Sequence, residues 1–315
     1  MKKSDILVCE ISGKRPGTAK ERPTEYFNIS YDHLIVSNNH DGYETDWEIV
    51  DVPQAFRDEY ERKHRISKGN AWLAPMNRTY ALHLARERGY RYCIQLDDNI
   101  TDIQLCYAFD DRKYSSHSRA KSTPHGSQMM DDFIEMLCLM LEHSNAGVTG
   151  CDLSSLPPSS HEFAERLCYS LFAVDTAKTI PDYWHGDFED DIDYELRCSD
   201  LGTPTLKCPV LCYGKVNTRG NLTGNRANYL SDGMARVEHM RLLAGDVYKG
   251  GVKKSQLTTT AKYTEPTVGH RVHIRKIGVI TYDWKVVKRH LAAMLKKYAT
   301  KRPNQLKTET TIIGS

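Results

Sequence analysis

The chain has 315 residues, of which 40% are hydrophobic and 27% are charged, a composition typical of a globular protein and not of a disordered or fibrous one. No run of about 18 apolar residues occurs, and the short apolar run 6–9 is followed at once by Glu10, so neither a membrane-spanning helix nor a secretory signal is predicted. We therefore expect a cytoplasmic protein without membrane association, with its nine cysteines as free thiols.

Basic residues are concentrated near the C-terminus, although the net charge of the whole chain is only +2. Residues 249–303 contain 14 Lys or Arg and 2 Asp or Glu, so the rest of the chain is acidic. Part of the excess lies in a predicted terminal helix, where basic side chains could simply solvate the outer face. The basic residues outside that helix favour a surface that faces phosphates. They include Lys249, Lys253, Lys254, Arg271, Arg275 and Lys276.

Apolar periodicity and turn residues predict an alternating α/β pattern. In chain order, the first part comprises strand 5–11, loop 13–25, strands 33–36 and 47–52, helices 53–66 and 75–88, and strand 90–96. The second part comprises a mobile polar loop 110–127, helix 131–143, strand 147–150, loop 154–160, strand 166–174, acidic helix 187–197, strand 206–213, loop 214–228, helix 228–243, a basic loop, strand 272–281 and helix 284–298. We predict one domain over 1–283, a basic helix 284–302 packed on it, and a flexible tail 303–315.

The predicted strand 90–96 leads directly into Asp97, Asp98 and Asn99. In open α/β sheets, ligands bind beyond the carboxyl ends of strands, so these polar groups are expected at the mouth of a site. Asp97 and Asn99 share one face of an extended chain, where hard oxygen ligands could hold a divalent cation or a ribose. The alternative is a plain β-turn, in which Asp and Asn are common.

A glycine-containing loop from Lys68 precedes a helix that carries Asn77 and Arg78 near its start. Free backbone N–H groups and the helix dipole favour an anion there, and Arg78 could add a bidentate phosphate contact. The alternative is an Arg78 that forms a salt bridge with a neighbouring carboxylate.

Six acidic residues crowd the segment 187–195. Their mutual repulsion needs a cation, a helix N-terminus or an Arg to offset it, and one of the carboxylates could serve as a general base on a hydroxyl. The alternative is a solvated helix start with an internal Arg197 pair. In the basic segment, His270 and His273 could each offer an imidazole to a metal or a diphosphate, or could be structural or surface histidines.

These motifs resemble those of the GT-A fold of nucleotide-sugar glycosyltransferases. Asp97-Asp98-Asn99 matches the place of that fold's Asp-x-Asp motif, with Asn in the last position, a departure that weakens the expectation of strict metal dependence. The segment 190–197 is similar to the acceptor-side acidic helix of the fold. Together with Asn77-Arg78, the pattern looks most like the TET-associated DNA glycosyltransferases of bacteriophages.

The resemblance implies a GT-A-like α/β mixed sheet flanked by helices and the transfer of a hexose or pentose to hydroxymethylated pyrimidines in DNA, such as 5-hydroxymethylcytosine. Asp191, with Asp190, would be catalytic, and the donor would bind at Lys68, Asn77, Arg78, Asp97 and Asp98. Mg²⁺ or Mn²⁺ would be held by Asp97 and Asn99, with His270 and His273. The six basic residues named above would contact DNA.

Two other classes of protein fit the same residues. Carboxylate clusters beside a basic region also suit a metal-dependent nuclease or another phosphodiester enzyme. A non-catalytic DNA-binding protein on an α/β scaffold is the third possibility.

Overall fold

The computed structural model describes residues 2–13, 26–64, 73–109, 114–154, 163–164, 166–186, 190–215, 241–242, 248–260, 263–272 and 283–298. Within these ranges, only the backbone is described for residues 73, 107–109, 114–118, 248–260 and 263–272. Predictions for any other residues lie outside this description, including those of the tail 303–315 and of most of helix 228–243.

The described strands and helices alternate along the chain. The strands are β1 (Ile6–Ser12), β2 (Asp32–Ser37), β3 (Glu48–Asp51), β4 (Tyr92–Asp97), β5 (Ile100–Phe109), β6 (Tyr114–Arg119), β7 (Val148–Leu153), β8 (Leu171–Asp175), β9 (Thr205–Lys215), β10 (Tyr248–Thr260) and β11 (Tyr263–Val272). The helices are α1 (Gln54–His64), α2 (Leu73–Glu87), α3 (Met129–Glu142), α4 (Asp190–Asp200) and α5 (Trp284–Tyr298).

Nine of these strands form one mixed sheet in the order β3-β2-β1-β4-β8-β7-β9-β5-β6. The four strands from β3 to β4 are parallel, β8 is antiparallel to both of its neighbours, and β7 and β9 are again parallel. The carboxyl ends of β1, β4 and β9 and the amino end of β8 therefore meet at one edge of the sheet. Because ligands of open α/β sheets bind at that edge, the topology alone places a site there.

The sheet is covered on both faces. All seven residues of β1 are buried, as expected for a central parallel strand that has helices above and below it. Side chains alternate between two apolar cores, with Leu7 and Cys9 facing α1, α2 and α4, and Ile6 and Val8 facing α3 and α5. The α/β mixed sheet flanked by helices that the sequence predicts is confirmed.

The described residues show four local features that bear on the sequence analysis. Gly89 ends α2 with a φ of +79°, the left-handed conformation that glycine adopts without a steric cost. The apolar positions of α5, among them Val287, Leu291 and Met294, pack into the core that contains α3. All nine cysteines lie among the described residues, are buried and form no disulfide. No helix among the described residues is long and apolar enough to cross a bilayer.

The prediction of a mobile loop over residues 110–127 is wrong for the part that the structure describes. Residues 110–113 lie outside the described chain, but Tyr114–Arg119 forms strand β6 and pairs with β5, and short 3-10 turns follow at Ala120–Ser122 and Gly126–Gln128. The polar composition of this segment is typical of a loop, so no strand is predicted there. Strand β6 nevertheless forms because it is an edge strand, which is stabilised by pairing with β5 and not by its own hydrophobicity.

The loop predicted for the basic segment is also wrong. The sequence predicts a loop there, whereas β10 and β11 form an antiparallel hairpin. The predicted strand 272–281 lies outside the described residues except for Val272. Strand β5 was not predicted at all, because the turn residues Asp98 and Asn99 suggested a longer interruption. The predicted strand 166–174 is shorter, with β8 beginning only at Leu171.

Candidate active site

The site lies where the carboxyl end of β4 meets the first turn of α4. Arg78, on α2, connects them: its Nη2 donates to Asp97 Oδ1 at 2.7 Å, and its Nε lies 3.3 Å from Asp190 Oδ2. The Arg78 side chain is only 7% exposed, and its guanidinium lies over the Phe172 ring at 5.2 Å. The strand tip and the acidic helix, which are far apart in the sequence, are therefore adjacent in the structure.

Asp97 is held ionised by two cations. Arg78 contacts Oδ1, and Lys215 Nζ, at the end of β9, donates to Oδ2 at 2.7 Å. Burial acts to raise the pKa of Asp97, but the attraction of Lys215 and Arg78 exceeds it and holds the pKa well below its ordinary value. Asp97 thus carries a full negative charge at neutral pH that is already matched by side chains of the protein.

Asp190 and Asp191 begin α4, where both are partly exposed. Burial, together with the neighbouring charge of Asp190, raises the pKa of Asp191 to about 7, against the opposing effect of Arg78. Burial also raises the pKa of Asp190, which Arg78 counteracts. A partly exposed carboxylate with a pKa near neutral pH is suited to accept a proton from a hydroxyl.

Asp193 and Glu195, further along α4, have partners of their own. Asp193 accepts hydrogen bonds from Arg197, at 2.8 Å from Nη2, and lies 2.6 Å from His185 Nδ1. Both carboxylate oxygens of Glu195 accept from the Cys168 backbone N–H at 2.9 Å. The ion pair with Arg197 that the sequence left open as an alternative is present, and its carboxylate is Asp193. Asp190 instead contacts Arg78.

Asp98 and Asn77 join β4 and α2 to the end of β1. Ser12 Oγ donates to Asp98 Oδ2 at 2.8 Å and also lies 2.8 Å from Tyr43 Oη. Asn77 Nδ2 donates to the Ser12 carbonyl at 2.9 Å. These bonds fix the carboxyl end of β1 against the strand tip and hold the backbone of the site in one arrangement.

Several buried polar atoms at this edge have no hydrogen-bond partner among the described residues. They are Nη1 of Arg78, Oδ1 of Asn77 and Oδ1 of Asn99. Leaving such groups unmatched costs about 1–3 kcal/mol each, so native sites usually satisfy them with a ligand or water. Both donors and acceptors are available, as the recognition of a polar ligand requires.

Sequence reasoning missed two residues of the site. Ser170, which directly precedes β8, adopts a φ of +63°, unusual for a non-glycine residue, and its carbonyl accepts the Asp97 N–H at 2.8 Å. Lys215 was missed although it follows a predicted strand, since the rule that places ligands beyond strand ends was applied only to residues 97–99.

The side chains of the remaining predicted site residues are not among those that the structure describes. Lys68, His273, Arg275 and Lys276 lie outside the described residues. Five others lie in the β10–β11 hairpin, where only the backbone is described, namely Lys249, Lys253, Lys254, His270 and Arg271. Their assignment to DNA or metal stays a prediction.

The described residues do not fit a divalent cation at the predicted position. Each oxygen of Asp97 already contacts a cationic nitrogen, and Asn99 would supply a single amide oxygen. No group of three or more His, Cys, Asp or Glu side chains within the described ranges is arranged to hold a metal. At phosphate sites Mg²⁺ is typically held by one or two carboxylates together with phosphate oxygens and waters, and here both oxygens of the Asp97 carboxylate are already engaged by cationic side chains.

Comparison with known families decides the class of protein. The family model of the TET-associated glycosyltransferases matches residues 24–224, which is more than half of the chain. The chain belongs to this family. It is a glycosyltransferase, and the predicted enzyme class is confirmed. The nuclease and the non-catalytic DNA-binding protein, which the residues alone left open, are set aside by this match.

Solved structures with a similar fold have low sequence identity to this family member. A Desulfovibrio desulfuricans protein assigned as a nucleotide-diphospho-sugar transferase is 10% identical with a TM-score of 0.34, and the match covers 76% of this chain and 96% of that chain. Glucosyl-3-phosphoglycerate synthase from Mycobacterium tuberculosis, in complex with Mn²⁺, UDP and phosphoglyceric acid, is 8% identical with a TM-score of 0.41, covering 90% and 91%. The comparison with curated proteins found no match.

Proposed function

We propose that this glycosyltransferase moves a sugar from a nucleotide-diphosphate sugar to the hydroxyl of a hydroxymethylated pyrimidine in phage DNA. The observation that carries the proposal is Arg78, which joins the strand tip at Asp97 to the acidic helix at Asp190. A donor site and an acceptor-side carboxylate are thereby held next to each other, as transfer between two bound substrates requires.

The donor is assigned to the β4 tip and the start of α2. Arg78 has buried N–H groups without hydrogen-bond partners among the described residues, and they suit the oxygens of a diphosphate. Asp97 orients Arg78, while Asn77 and Asp98 hold the end of β1. Positive charge at this point stabilises the diphosphate as it leaves with the bonding electrons.

The acceptor is assigned to the start of α4. If the reaction inverts the anomeric carbon, the acceptor oxygen attacks that carbon, its proton passes to the Asp191 carboxylate, and the bond to the diphosphate breaks. If the reaction retains configuration, Asp191 instead orients the acceptor hydroxyl. Asp190 supports Asp191 by raising its pKa, since two adjacent carboxylates resist full ionisation. Product stereochemistry, measured by NMR of the isolated glycosylated nucleoside, distinguishes the two.

DNA is the proposed acceptor polymer. In the β10–β11 hairpin, the register pairs Lys249 with Arg271, two basic residues directly opposite each other. Like charges at such positions are destabilising unless a polyanion offsets them. Exposed Lys285, Arg289 and Lys296 on α5 add further positive charge. A base in a duplex is enclosed by its neighbours, so access to its hydroxymethyl group requires extrusion of the base or a single strand.

The proposal is tested with a panel of UDP- and GDP-sugars and DNA that contains either 5-hydroxymethylcytosine or cytosine. We expect one sugar to be added to the hydroxymethylated DNA only, detected by mass spectrometry of the digested nucleosides. Asp191→Asn is the inactive control. Sugar transfer to a protein or small-molecule acceptor, with none to hydroxymethylated DNA, would contradict the assigned acceptor and leave the transferase class intact.

A further inference from the structure

Lys215 occupies the position at which the sequence pattern leads one to expect a metal ion. It is the last described residue of β9, at the same edge of the sheet as the tip of β4. Its Nζ lies 2.7 Å from Asp97 Oδ2, with side chains 27% and 22% exposed. A cation already sits on the second oxygen of the carboxylate that was predicted to ligate Mg²⁺ or Mn²⁺.

The two cations at Asp97 differ in accessibility. The Arg78 side chain is 7% exposed and is shared between Asp97 and Asp190. Lys215 is nearly four times as exposed and contacts Asp97. An ammonium has three N–H donors, so the bond to Asp97 leaves two for a ligand. Lys215 is therefore anchored by the bond to Asp97 and is still partly exposed.

The charges around the site require an exposed cation if a diphosphate is to bind. Asp97, Asp190 and Asp191 are three carboxylates around a site that must admit a diphosphate. Against them, the described residues of this cluster supply Arg78 and Lys215. A diphosphate entering this region is repelled by the carboxylates unless a cation faces it directly, and the partly exposed Lys215 is the cation that does so.

We propose that Lys215 contacts the diphosphate of the donor and supplies there the positive charge that the sequence pattern assigns to a divalent cation. The inference rests on the proposed function and adds to it a donor-binding residue and the expectation of metal-independent donor binding. Asp97 is then the anchor of two side-chain cations and not a metal ligand.

The test is isothermal titration calorimetry of UDP and of the UDP- and GDP-sugar panel with the full chain, in EDTA and in MnCl2. We expect wild type to bind its nucleotide within about twofold in both buffers, and Lys215→Met to bind about 10- to 100-fold more weakly, the scale of a lost hydrogen bond to a charged group. Lys215→Arg should recover part of the affinity. Lys63→Met, which removes an equally charged but remote side chain on α1, should bind as wild type does.

A second measurement does not depend on the donor. Mn²⁺ titration followed by electron paramagnetic resonance should show no tight site in wild type, and stronger Mn²⁺ binding in Lys215→Met, where Asp97 has lost its ammonium. Nucleotide binding that is abolished by EDTA, restored by Mn²⁺ and unchanged in Lys215→Met overturns the inference while leaving the transferase intact. Tight Mn²⁺ binding that is equal in the two proteins overturns it as well. Failure of every nucleotide sugar to bind in both buffers would instead refute the proposed donor site.

Discussion

Replacing Arg78 by methionine keeps most of the side-chain volume and removes the charge that joins Asp97 to Asp190. The three side chains are 7%, 22% and 16% exposed, so the charges left behind are poorly solvated. Removing one partner of a buried ion pair typically costs about 3–5 kcal/mol, because the remaining charge has no compensation; here that charge is Asp190, while Asp97 keeps its contact with Lys215. In domains of about 150–250 residues each kcal/mol lowers the melting temperature by about 2–4 °C, which predicts a fall of about 6–20 °C.

The assay is thermal unfolding followed by circular dichroism, with Arg86→Met as the matched control on the same helix. Arg86 pairs with Asp182, which is 81% exposed, so its loss should change stability by less than about 1 kcal/mol. The Arg78→Met defect should shrink as the pH is lowered, since protonation removes the stranded charges, and Asp190→Asn in the same chain should restore part of the stability. Equal melting temperatures for Arg78→Met and Arg86→Met would refute the bridged arrangement of the site.

Three further predictions follow from the same geometry. Asp191→Asn should lower turnover by about 100-fold or more at unchanged donor affinity. The wild-type rate should fall as the pH drops through about 7, because the Asp191 carboxylate is then protonated and cannot act as a base. A rate that does not change between pH 6 and 8 would show that Asp191 is not the general base. The same variant should raise the melting temperature at pH 8, since the fold raises the pKa of this carboxyl and therefore disfavours its ionised form; lower stability at pH 8 would contradict the pKa direction. Affinity for DNA should fall steeply between about 50 and 200 mM salt, and Arg271→Ser should reduce the slope of log K against log salt by about one; a slope near zero in wild type would exclude phosphate contacts.

Much of the fold was predictable because it is encoded locally. The apolar periodicity that defines α2 and α5, the glycine that ends α2, and the apolar run that leads to Asp97 are each visible within about fifteen neighbouring residues. The family resemblance was equally local, since it depended on Asn77-Arg78, Asp97-Asp98-Asn99 and the acidic segment, and the family match has confirmed it. The roles of those residues remain predictions that the proposed experiments address.

The pairing within the site was decided by the order of strands in the sheet. Lys215 lies 118 positions after Asp97 in the chain, and it meets Asp97 only because β9 runs parallel to β4 and ends at the same edge. Ser170 is likewise placed by the reversed direction of β8, and the unusual φ it adopts leaves no trace in composition. Sequence periodicity reports which face of an element is buried, whereas the partner of a charge depends on contacts between distant segments, which form only when the whole sheet has assembled.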